Sequence, residues 1–101
     1  MDINTILTGV QKNAAGADPL GNTLKFDFGD NELIYIDGTG SENSVSLMEE
    51  DKEADCVISV SKENFVKLTS GDLNPMTAVM MGQIKIKGNM GVAMKLQSLL
   101  G

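Results

Sequence analysis

NPMTAVMMGQIKIKGNMGVAMKLQSLL, from Asn74 to Leu100, is the stretch whose reading decides the fold. Asn74 is a good helix N-cap, and Pro75 fits the first helical position, where its missing N–H removes no hydrogen bond. Gly82 ends that helix. Gln83 to Lys87 alternates Ile84 and Ile86 with Lys85 and Lys87, the period of a half-buried strand. Gly88-Asn89 turns the chain, and Asn89 caps a last helix. At about 100° per residue, Val92, Ala93, Leu96, Leu99 and Leu100 share one arc of that helix. Met90 and Met94 widen the arc to roughly 220°, against the stripe of about 100° that a surface helix buries. Gln97 lies inside it. In the preceding helix, Thr77 is the only polar residue among Met76, Thr77, Ala78, Val79, Met80 and Met81. Such helices are either packed on all sides or face something apolar that the chain does not supply. Methionine suits the second role, because a flexible, polarizable side chain fits variable apolar shapes. Both readings, ordinary core and a wall around a guest, stand on these residues.

Working outward, composition narrows the chemistry. The chain has 101 residues, a formal charge of −6 and no arginine, which argues against a nucleic-acid partner. Its length fits a single domain over residues 1–101. No run approaches the roughly 20 apolar residues of a membrane span. MDINTILTG lacks the positive start and apolar run of a signal peptide, and Cys56 is alone, so a cytoplasmic location is expected. Without histidine there is no Ser–His or Cys–His pair and no ordinary zinc or haem site, so no metal and no cofactor are expected. Cys56 lies mid-strand with no cationic neighbour and reads as a small buried hydrophobe. Glu49, Glu50, Asp51, Glu53 and Asp55 form an acidic run in a turn-like segment, and such runs are usually solvated. Catalysis is the weaker class, with no catalytic residue assigned.

Upstream, Ile3, Ile6, Leu7, Val10 and Ala14 repeat as an amphipathic helix that Asp2 caps and Gly16 and Pro19 close. Leu24–Phe28 alternates, and Gly29-Asp30-Asn31 turns it into Glu32–Asp37, a β-hairpin. Both faces of Leu33-Ile34-Tyr35-Ile36 are apolar, which places that strand inside the sheet. Ser44–Met48 and Ala54–Val60 continue a four-strand meander. Ser61 caps a helix that turns Phe65, Val66 and Leu68 inward and ends at Gly71. The order is α+β: a two-layer arrangement of one five-stranded sheet covered on one face by helices.

Gly71-Asp-Leu-Asn-Pro75, Gly82-Gln-Ile-Lys-Ile-Lys-Gly-Asn-Met-Gly91 and Ala93-Met-Lys-Leu-Gln97 together resemble the sterol carrier protein type 2 family, as do Ala54-Asp-Cys-Val-Ile-Ser59, Phe65 and Leu68 upstream. The resemblance is dense from Ala54 to Leu99. It implies a hydrophobic tunnel between sheet and helices, and non-catalytic binding and transfer of a fatty acid, fatty acyl-CoA or sterol. It also offers Gln97 a role toward a polar head group or an ordered water, the alternative being a bond to a backbone carbonyl. The sequence departs from that family at Met81, where a glutamine is common, and at Val79 and Met80, where aromatics are common. The lack of arginine leaves lysines or backbone N–H groups to meet an anionic head. The end Ser-Leu-Leu-Gly lacks the peroxisomal Ser-Lys-Leu signal.

The lining expected on these grounds is Ile34 or Tyr35 from the sheet with Phe65, Leu68, Met76, Val79, Met80, Met90, Met94 and Gln97. Gly82, Gly88 and Gly91 are candidate hinges for release. A monomer or weak homodimer touching membranes transiently is expected. The alternative is an interaction or dimerisation module with a collapsed cavity, and an enzyme built on Glu49, Glu50 and Asp51 ranks last.

Overall fold

The computed structural model describes residues 2–48 and 53–95. Their elements run α1 (Ile3–Ala15), β1 (Thr23–Asp27), β2 (Leu33–Asp37), β3 (Ser44–Leu47), β4 (Cys56–Val60), α2 (Lys62–Ser70), α3 (Pro75–Met80), β5 (Ile84–Gly88) and α4 (Met90–Lys95). The helix starts are where the capping residues put them. The Asp2 carboxylate accepts from Asn4 N–H, Ser61 Oγ from Asn64 N–H, and Asn74 Oδ1 from the N–H groups of Met76 and Thr77. The β1–β2 turn holds three successive positive φ values, at Gly29, Asp30 and Asn31. These residue types tolerate that region best.

The sheet has five strands in the order β3-β2-β1-β4-β5. β1, β2 and β3 form the expected antiparallel meander, and β2 is interior. β4 departs from that expectation: it does not continue the meander beside β3. It pairs with β1 in parallel, with Phe26 opposite Ile58, and β5 closes the sheet antiparallel to β4. The alternation of β1 accounts for this. Its Leu24 and Phe26 are both almost wholly buried, and its edge has no other strand to satisfy its backbone groups.

Registered partners place Leu24, Phe26, Ile34, Ile36, Val45, Cys56, Ile58, Val60, Ile84 and Ile86 on one face. The helices cover that face, with α1 against β3, α3 against β5, and α4 against β4 and β5. One core joins Ile6, Val10 and Ala14 of α1 to these strands. Thr23, Lys25, Asp27, Tyr35, Asp37, Lys85 and Lys87 fall on the opposite, uncovered face, half-buried or exposed.

Asp55 locks the junction of β1, β4 and α4. Its carboxylate accepts from Thr23 N–H at 3.0 Å and Asn22 Nδ2 at 3.2 Å, and its own N–H donates to Thr23 Oγ1. Its carbonyl accepts from Asn89 N–H at 2.8 Å. A side chain at Gly88 (φ +97°) would place its Cβ 2.3 Å from that carbonyl oxygen. Gly88 is therefore a close-packed contact.

Candidate functional site

Two short helices stand at the β5 end of the sheet, each anchored by a small buried residue. Ala78 pins α3 with no exposed surface, and Val92 pins α4. Gln83 N–H donates to Ala78 O and turns the chain from α3 back into β5. Lys95 Nζ reaches Leu20 O at 2.9 Å and ties α4 to the loop before β1. A space remains between these two helices, α2 and the sheet.

That space is an apolar cavity of about 260 Å³. Its floor is the sheet, through Phe26 of β1, Ile58 and Val60 of β4, and Ile84 and Ile86 of β5. α2 contributes Phe65 and Leu68, α3 contributes Met76, Val79 and Met80, and α4 contributes Met90, Ala93 and Met94. None of these side chains is polar. Among the described residues the wall therefore offers neither a nucleophile nor a side-chain proton donor, and it suits apolar matter.

The rim is the unusual part. The lining residues Met76, Met80, Met90 and Met94 are between 55% and 84% exposed, as is Met81, which follows α3 and does not line the cavity, while Phe65 behind the rim is 3% exposed. Fully burying a methionine is worth about 1.5–3 kcal/mol, so each leaves on the order of 1 kcal/mol unrealised in water. Of the two readings left open by the sequence, ordinary core packing is excluded for these five side chains.

Phe65, Leu68, Met76, Val79, Met80, Met90 and Met94 are thus brought together as named from the sequence. Ile34 and Tyr35 are not. Parallel insertion of β4 beside β1 puts β2 in the other half of the sheet, so Ile34 is buried under the helices away from the cavity. Tyr35, registered with Lys25 and Ser46, belongs to the uncovered face. Gln97, Glu49, Glu50 and Asp51 lie outside the described residues. The residues that sequence reasoning missed, Phe26, Ile58, Val60, Ile84, Ile86 and Ala93, had a legible inward period. What the period lacked was which strands the short helices cover.

The titratable groups with resolved shifts stand apart from the cavity. Burial pushes the Cys56 thiol above its ordinary value. The Asp55 carboxyl is held below the ordinary carboxylate value by Thr23 N–H first and Asn22 second. The Asp37 carboxyl is lowered by the Thr39 hydroxyl and N–H. No group of acidic or cysteine side chains able to hold a metal ion occurs among the described residues.

Comparison with known proteins gives one direction. Over 64 residues the chain is 45% identical to sterol carrier protein 2 from Homo sapiens, a match covering 63% of this chain and 12% of that protein. It is 41% identical over 66 residues to hydroxysteroid dehydrogenase-like protein 2 from Bos taurus, covering 65% of this chain and 16% of that one. The chain thus spans only a small part of these relatives. In three dimensions it superimposes on sterol carrier protein 2 like 2 from Aedes aegypti with a TM-score of 0.79 at 17% identity, covering 94% of this chain and 93% of the other. That shows a shared fold. The model of the SCP-2 sterol transfer family matches residues 3–101, and the chain belongs to that family.

Proposed function

We propose that this protein binds an apolar lipid in the cavity between the sheet and helices α2–α4 and carries it without covalent chemistry. The observation that carries this is the wall, apolar at every described residue, opening through the exposed Met76, Met80, Met90 and Met94; membership of the family supports it. At about 24 cal/mol per Å³ of filled cavity, occupying 260 Å³ yields on the order of 6 kcal/mol gross. Closing the methionine rim over the guest adds to this, and the loss of translational and rotational freedom on association subtracts from it.

The cavity is slightly below the roughly 300–1,000 Å³ of ordinary small-molecule sites. A single acyl chain fits this better than a fused ring system. With no polar side chain among the described residues of the wall, the head group is best placed at the rim. The ligand of choice is therefore a fatty acid or fatty acyl conjugate whose tail enters between α3 and α4. Exchange with a bilayer would run through the same rim, brought transiently against the membrane surface.

Titration of delipidated protein with a fluorescent fatty acid tests this. Saturable binding of one molecule per chain, displaced by palmitate, is expected. The exposed methionines also favour one competing reading, in which the rim packs against a second copy. A protein that elutes as a dimer and takes up no fatty acid would replace the lipid reading with that one.

A further inference from the structure

Behind the lipid cavity lies a second groove, of about 300 Å³, between α1 and α2. Ile6, Gly9, Val10 and Val66 give it an apolar side, and Thr5, Lys12, Asn13 and Thr69 a polar one. Phe65 belongs to both walls. Its ring meets Phe26 edge-on at 5.2 Å and Phe28 at 5.4 Å, with planes at 76° and 85°. Across the groove α1 offers Gly9, where a side chain would meet nothing within 4 Å.

We propose that Phe65 is the end wall that sets how long an apolar chain the cavity accepts, and that the α1–α2 groove continues the ligand path beyond it. This rests on the cavity being a lipid site. With the head group at the methionine rim, the end that reaches Phe65 is the methyl end. A chain that outgrows 260 Å³ either stops against the ring or passes it into the groove. The Ile6–Val10–Val66 side receives it, and the polar side bounds how far burial continues to be favourable. Phe65 is thus a specificity residue for chain length.

The test is a displacement series of saturated fatty acids from octanoate to stearate against wild type, Phe65→Leu, Phe65→Ala and Phe65→Trp, with folding checked by circular dichroism. In wild type, affinity should stop rising once the cavity is full. Phe65→Leu and Phe65→Ala should move that plateau to longer chains, each added methylene giving about fourfold tighter binding. Phe65→Trp should move it to shorter ones. Adding Gly9→Phe to Phe65→Leu fills the groove from the other side and should return the plateau toward wild type. Should Phe65→Ala fail to fold, the Leu and Trp variants carry the comparison. A plateau at the same length in every folded variant would overturn this inference while leaving the cavity as the lipid site. Wild type that binds no fatty acid of any length would instead defeat the cavity reading itself.

Discussion

Ala93→Phe offers the sharpest perturbation of the cavity. Ala93 is half-buried on α4 and lines the space directly, so a larger side chain there grows into it. A cavity of about 150 Å³ is enough to hold benzene. A phenyl ring at this position therefore takes more than half of the 260 Å³ available. At about 24 cal/mol per Å³, the ligand loses about 3–4 kcal/mol, a several-hundredfold weakening. Stability should move the other way or not at all, because the ring fills open space and escapes the 1–3 kcal/mol typical of overpacking. The assay is paired: fluorescent fatty acid titration for affinity and a thermal melt for folding. For a domain of this size 1 kcal/mol shifts Tm by about 4–8 °C, so a hidden folding defect would be visible. Ala93→Leu should give an intermediate loss. If Ala93→Phe melts like wild type and binds fatty acid equally well, the ligand is not in this cavity.

Hydrogen peroxide should convert the exposed thioethers of Met76, Met80, Met81, Met90 and Met94 to sulfoxides, each reaction releasing water, before it reaches Met48, which is 8% exposed. Peptide mass mapping should show that order, fatty acid uptake should fall with it, and methionine sulfoxide reductases should restore uptake. Asp55→Ala should lower Tm at neutral pH by freeing Asn22, Thr23 and the start of β1. Because the Asp55 carboxyl is depressed in the folded state, its contribution is complete above the unfolded value of about 3.9 and is lost as pH falls through the lower folded value. The Tm difference between Asp55→Ala and wild type should therefore shrink in strong acid, and a difference independent of pH would contradict that role.

Much of this architecture was written in local pattern. Asp2, Ser61 and Asn74 cap the helices they were expected to cap, and alternation marked each strand to within a residue or two. Part of the surplus apolar arc of the C-terminal helices was equally legible and appears as the exposed methionines; Leu96, Leu99 and Leu100 of that arc lie outside the described residues. Strand neighbours were not legible. Period two says which residues share a face but not which strand lies beside which. The β1–β4 parallel pair joins residues more than thirty apart, through Leu24 and Cys56. That pairing carries β4 and β5 beneath α3 and α4 and takes β2 out of the site. Ile34 and Tyr35 lie outside the cavity for this reason, while Ile58, Val60, Ile84 and Ile86, never named for the lining, form part of it.

The most direct measurement is native mass spectrometry of freshly purified protein, followed by solvent extraction and lipid analysis. The account predicts a population heavier than the bare chain by the mass of one lipid, with an acyl lipid in the extract, and both lost on delipidation. A single species at the mass of the bare chain, from protein that also refuses added fatty acid, would contradict the claim that the methionine-rimmed cavity exists to hold a guest.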